Sequence, residues 1–97
     1  MVVEVAIRSK HSKSEVEKTI NQALKNQTTL AQHRRAQFER LCAEFEEKFG
    51  FTSDKFLEQF EAGELGDEVP YFDWFAAKRG FDLWDRKYHI LTEALEE

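Results

Sequence analysis

YFDWFAAKRGFDLWDRKYHILTEAL, residues 71–95, decides the architecture of this chain. Trp74, Ala77, Phe81, Trp84, Tyr88, Leu91 and Leu95 recur at alternating three- and four-residue steps. That spacing places all seven on one face of an α-helix, an a/d seam over three heptads. Phe72, Phe75, Leu83, Ile90 and Ala94 are expected to widen it. Gly80 lies inside the pattern at a cost of about 1 kcal/mol relative to Ala. It marks either a close approach of another backbone or a kink. A seam this wide and aromatic needs a second helix to cover it, and it leaves aromatic surface for another chain.

Upstream of the seam, residues 62–70 (AGELGDEVP) hold two glycines and the single proline, which makes them a loop. Before the loop, Thr52 with Phe51 and Phe56 has the form of an N-cap inside a hydrophobic staple. It opens a short helix over residues 52–62 that carries Phe56, Leu57 and Phe60. Gly50 is placed to end the preceding helix in a left-handed turn.

That preceding helix is the expected cover for the seam. Val16, Ile20, Ala23, Leu24, Ala31, Phe38, Leu41/Cys42, Phe45 and Phe49 follow a spacing near 3.6 over residues 14–49. Ser14 with Glu17, or alternatively Ser12 with Glu15, forms a capping box at its start. Two readings compete for its middle. One is a single helix about 50 Å long. The other breaks at Asn26–Thr29, where KNQTT is a poor helix former and Thr29 with Gln32 makes another capping box.

At the N-terminus Val3, Val5 and Ile7 alternate with Val2, Glu4, Ala6 and Arg8, a β-strand pattern with no second strand elsewhere to pair with. Residues 1–13 are therefore an arm or a strand that pairs across a dimer axis or onto another protein's sheet edge. The expected fold is a mainly α single domain over residues 1–97, a dimeric helical hairpin. Its parts are the arm (1–13), a long helix (14–49), a short helix (52–62), an acidic loop (63–70) and a C-terminal helix (71–96).

Charge divides the chain. Residues 1–40 carry eight Lys or Arg and four acids, a formal +4; residues 41–97 carry six and fifteen, a formal −9, which accounts for the net −5. A basic front and an acidic, aromatic back suit two different partners. No apolar run approaches 18 residues, and the MVVEVAI start lacks the basic leader of a signal peptide, so a cytoplasmic protein is expected.

Catalytic and metal patterns are sparse. One cysteine, Cys42, excludes an intramolecular disulfide and falls in the apolar stripe as a small core residue. His11, His33 and His89 have no metal spacing, and Asp85 with His89 at i, i+4 fits an ion pair. Gly63 and Gly66 make only a GxxG among acids, which would repel phosphate. The acids Glu61, Glu64, Asp67, Glu68 and Asp73 lack the ligand alternation of a calcium loop. No catalytic residue, metal ligand or cofactor site is expected, and the chain is not expected to be an enzyme.

Residues 48–67, KFGFTSDKFLEQFEAGELGD, followed by YFDWFA at 71–76, resemble a family of small bacterial and archaeal proteins. Antitoxins of type II toxin–antitoxin modules are among its members. The shared pattern is KYGM-S-x-E-x-F-x-x-x-F-x-x-GELGD followed by an aromatic-acidic-Trp group. It covers about Phe45 to Ala77, a third of the chain, and GELGD is its most specific piece. Phe51 replaces the usual Met, and Asp54-Lys55 stands where two acids often sit.

The resemblance implies a prokaryotic protein that binds and neutralises a cognate toxin, a ribonuclease-like one. An amphipathic aromatic helix can fill an apolar groove while acids oppose a basic RNA-binding site. The expected toxin contacts are Trp74, Phe75, Phe81, Trp84 and Tyr88, with Glu64, Asp67, Asp73 and Asp85 as charged neighbours. Such antitoxins often bind operator DNA as well. Arg8, Lys10, Lys13, Arg34 and Arg35 are the candidates here, through phosphate contacts. A strand followed by two helices would give a ribbon-helix-helix layout if the break at Asn26–Thr29 exists, although Val2, Glu4, Ala6 and Arg8 make a poor set for major-groove readout. The alternatives are a helical homodimeric interaction module and a stand-alone DNA-binding regulator of that layout.

Overall fold

A computed structural model of the chain describes residues 10–96, and the expected N-terminal strand and Arg8 lie outside them. Three helices follow one another: α1 (Lys13–Phe49), α2 (Ser53–Glu61) and α3 (Val69–Glu96). No strand occurs among the described residues. α1 and α3 form an antiparallel hairpin, and α2 fills the corner where the chain turns back. The molecule measures 58 × 22 × 21 Å, so α1, about 55 Å long, runs nearly its full length.

The helix ends follow local chemistry. Ser12, the second of the two capping options, is the N-cap of α1, its Oγ accepting from the Glu15 N–H at 3.2 Å. Gly50 ends α1 with φ +82°, its N–H donating to the Glu46 carbonyl at 2.8 Å. Thr52 caps α2 through Lys55 N–H at 3.2 Å, and the staple forms, with the Phe51 and Phe56 rings 6.4 Å apart. Gly63, at φ +73°, closes α2: its N–H donates to Phe60 and that of Glu64 to Gln59, the paired bonds of a Schellman turn. The first glycine of GELGD thus has a backbone role. α3 starts two residues earlier than Tyr71, because Pro70 sits within its first turn, where a missing N–H costs nothing.

α1 is continuous through Asn26–Thr29, so of the two readings the unbroken helix holds. The Thr28 and Thr29 hydroxyls donate back to the Leu24 and Lys25 carbonyls, at 2.7 and 3.2 Å, and Gln22 bonds Asn26 side chain to side chain at 3.1 Å. These bonds satisfy the polar groups that would otherwise compete with the helical backbone. Tertiary packing adds the rest: Ala31, two residues on, is wholly buried. The turn that a ribbon-helix-helix layout requires is absent.

Packing of the hairpin pairs Phe49 with Tyr71, Phe45 with Trp74, and Arg35 with Asp85 and Tyr88. Gly80 lies against Phe38: a Cβ on it would come within 2.6 Å of the Phe38 ring. Of the two roles open to this glycine, close approach is the one observed. Two expectations about the apolar faces need correction. Leu83 and Ile90 do not widen the seam; they are half exposed on the outer side of α3, while Phe72, also half exposed, packs edge-on against Phe60 of α2 at 5.6 Å. Ala23 and Leu41 belong to the exposed flank of α1, where Arg35 takes a seam position instead.

Gly80→Ala sets two terms against each other. Helix propensity gains about 1 kcal/mol, while forcing a methyl group into the Phe38 ring costs about 1–3 kcal/mol. The variant is expected to be less stable than the wild-type chain in urea unfolding. Phe38→Leu added to it should recover part of the loss, because the smaller side chain frees the space.

Candidate protein-binding surface

The centre of the corner is Trp74, fully buried. Its ring stacks on Phe56 with centroids 4.1 Å apart, and Phe45, Phe49 and Phe51 lie within 5.1–5.7 Å. The indole Nε1–H donates to Ser53 Oγ at 2.9 Å, and the Ser53 backbone N–H donates to Glu46 Oε2 at 2.7 Å. One indole therefore ties α3 to α2, and one carboxylate ties α2 to α1. Glu46 sits where the free N–H groups and positive end of α2 favour a negative charge.

Beside this contact a notch of about 290 Å³ opens between Glu39, Cys42, Glu46, Ser53, Asp54 and Phe81. Lys78 reaches into it, itself buried, with Nζ 2.7 Å from Asp54 Oδ1 and 2.9 Å from Asp82 Oδ1. Burial acts to lower the Lys78 pKa, but the hydrogen bonds to Asp54 and Asp82 outweigh it, and the ammonium ends above its ordinary value. Burial pushes the Cys42 thiol up, against the smaller opposing effects of the Ser53 hydroxyl and the Lys78 ammonium. Cys42 is a core thiol, in keeping with its place in the apolar stripe.

The nine residues expected to face a toxin separate into groups. Trp74 is wholly enclosed and has no surface to offer. Phe75 stacks on Phe60 at 5.1 Å, and Phe81, Trp84 and Tyr88 are half-buried along the hairpin. These aromatics build the monomer. Asp85 is also committed internally, 2.9 Å from Arg35 Nε and 3.4 Å from His89 Nε2. Glu64, Asp67 and Asp73 are exposed, together with Glu61 and Glu68, around the α2–α3 corner.

The basic candidates are not brought together. Lys10 and Lys13 lie at the start of α1, with Lys13 4.0 Å from Glu17, while Arg34 is roughly 30 Å further along the helix. Arg35 is held inward, its guanidinium 4.9 Å over the Tyr88 ring and beside Asp85. An Arg committed to an ion pair and a ring face is not available to phosphate.

One surface escaped the sequence reading. Val69, Leu83 and Ile90 are 71, 50 and 54% exposed on the outer side of α3. Exposed Ala76 falls between them, and Val69, Ala76, Leu83 and Ile90 are spaced seven apart. That second heptad stripe was visible in the spacing, but it overlapped the first and was merged with it. The polar contacts were hidden for another reason. Glu46 and Ser53 lie on different helices, and only Lys78–Asp82, at i, i+4, has a local signature.

Among the described residues, no group of three His, Cys, Asp or Glu is placed to hold a metal ion, and no helix is long and apolar enough to cross a membrane. Compared with protein-family models, curated proteins and solved structures, the chain matches none of them.

Cys42 and Lys78 both titrate higher in the fold than in the unfolded chain. The stability linked to them is complete below the unfolded thiol value, about pH 8.5, and is lost as pH rises through their folded values. Urea midpoints should hold steady between about pH 7 and 8 and fall above about pH 9. Cys42→Ala should remove the earlier part of that fall, leaving the part due to Lys78 at higher pH.

Proposed function

We propose that this chain is an antitoxin-type binding protein that docks on a basic toxin, ribonuclease-like in the family its GELGD segment resembles, and blocks it. The observation that supports this reading is the acidic corner. Glu61, Glu64, Asp67 and Glu68 are all exposed between the end of α2 and the start of α3. The Schellman turn at Gly63 fixes the start of that segment, and at its end the Glu68 carbonyl accepts from the Tyr71 N–H at 3.0 Å. Carboxylates presented on a rigid corner suit the positively charged groove of an RNA-cleaving protein, accelerating encounter and selecting against acidic partners. The aromatic residues of α3 act indirectly in this reading: they make the corner rigid.

Co-expression with the product of the neighbouring open reading frame tests it. A complex that co-purifies, and rescue of growth when that product is toxic, are expected. Glu64→Lys with Asp67→Lys should slow association by about tenfold at low salt and flatten its salt dependence, with helicity unchanged. Absence of a complex and of rescue would sink the proposal.

The exposed outer stripe of α3 favours a second, compatible reading, that of a helical homodimeric module. It concerns a different face from the acidic corner.

A further inference from the structure

The acidic corner is not uniformly polar. Val69 is 71% exposed and Phe72 50%, and at i, i+3 in the first turns of α3 they are neighbours on its surface. Pro70 lies between them, and the Tyr71 N–H donates to the Glu68 carbonyl at 3.0 Å, so the backbone that carries both is fixed. The Phe72 ring is fixed as well. It meets Phe60 of α2 edge-on, with centroids 5.6 Å apart, and Phe60 in turn packs on Phe56, whose ring stacks on Trp74. A large ring that is half exposed and already immobilised loses little freedom when a partner covers it.

Acids surround this pair. From Phe56 to Ala77 the chain has six Asp or Glu and no Lys or Arg. Glu68 precedes Val69, Asp73 follows Phe72 and Glu61 follows Phe60, all three exposed. Arg79, over the Phe75 ring at 6.0 Å, lies about two turns of helix past Phe72. An apolar centre inside a charged rim is the anatomy of a protein interface.

The sign of the rim selects the occupant. Covering the pair also strips water from the carboxylates beside it, a cost that only opposite charges offset. A second copy of this chain laid corner to corner would set acids against acids. A phosphate backbone or an anionic membrane surface carries the wrong charge. The surface that fits is that of a basic protein with an apolar cleft among Lys or Arg side chains.

We propose that Phe72 and Val69 are the apolar anchor of the acidic corner, seated in such a cleft when the basic partner binds. The anchor rests on the binding reading above and adds to it, because Phe72 touches the partner where the other aromatic residues of α3 only stiffen the corner. Carboxylates and anchor then have separate roles, the first drawing the partner in and the second holding it.

Stopped-flow association and dissociation kinetics with the purified product of the neighbouring open reading frame are the test, with circular dichroism of each variant as the control for folding. Phe72→Ala should speed dissociation about 30-fold and Val69→Ser about fivefold, with association rates within about twofold of the wild type. Val69 lies outside the Phe60–Phe72 contact, so its variant reads the anchor even where Phe72→Ala loosens α2. Glu64→Lys with Asp67→Lys should act on association instead. Leu83→Ser, further along α3, should change neither rate. Dissociation unchanged by both Phe72→Ala and Val69→Ser, in a complex whose association the charge reversal slows, would overturn the anchor and leave the acidic corner standing. An effect of Leu83→Ser equal to that of Phe72→Ala would overturn the anchor too. Absence of any complex would overturn anchor and corner together.

Discussion

The rest of the molecule depends on the enclosure of the Trp74 indole and the single hydrogen bond it makes to Ser53 Oγ. An indole buried without a partner for its N–H would forfeit much of what its ring contributes. Ser53 supplies that partner because Thr52 starts α2 immediately before it and fixes its position. Glu46, seven residues earlier on α1, accepts from the Ser53 backbone. Three helices meet at one side chain, with Phe45, Phe49, Phe51 and Phe56 packed on its ring. Each such aromatic pair contributes about 0.5–1.5 kcal/mol beyond burial.

Away from that corner the hairpin is one side-chain layer thick, and the layer is completed by polar residues. Arg35 spans the gap to Asp85 and Tyr88, and at the edge of the corner Lys78 lies buried between Asp54 of α2 and Asp82. Long cationic side chains suit this position, since their stems cover apolar surface while their heads reach acids at the edge. The acids concerned are partly exposed, so their value lies more in fixing register between the helices than in net stabilisation. Gly80 has the same effect by other means, letting the Phe38 ring lie against the backbone of α3.

This division of labour separates the surfaces available to partners. The aromatic seam faces inward and makes a rigid hairpin. The carboxylates of the α2–α3 corner face water, and the outer stripe of α3 presents Leu83 and Ile90 to it. The charge split along the chain follows the same geometry. The acidic half is concentrated at one end of an elongated molecule, while the basic residues are spread along α1, with Arg35 consumed inside.

By itself the sequence determined that the chain is mainly helical, the turns at Gly50 and residues 62–70, the seam position of Trp74 and Ala77, and the burial of Cys42. It also offered Trp74 to a partner, which its full enclosure rules out. Each of these determinations rests on residues within about a turn of one another or on a simple period: Thr52 inside its staple, Gly50 at a left-handed position, the glycines and proline of residues 62–70, the 3-4 spacing from Trp74 to Leu95. The choice of Ser12 over Ser14 as cap and the left-handed Gly63 came from the structure. Only the structure decided that α1 runs unbroken through Asn26–Thr29, that Arg35 and Lys78 turn inward, and that Leu83 and Ile90 remain outside. The unbroken α1 follows from its own side-chain bonds and the burial of Ala31; the choice of inward and outward residues on α3 has another cause. α3 carries two overlapping heptad stripes, and periodicity cannot rank them. The stripe holding Trp74 and Gly80 meets α1 because a large ring with a hydrogen-bond partner and a gap that fits Phe38 bury more surface than four aliphatic side chains would. Once that face is chosen, the pairing register of the two helices dictates every contact that no local pattern encodes.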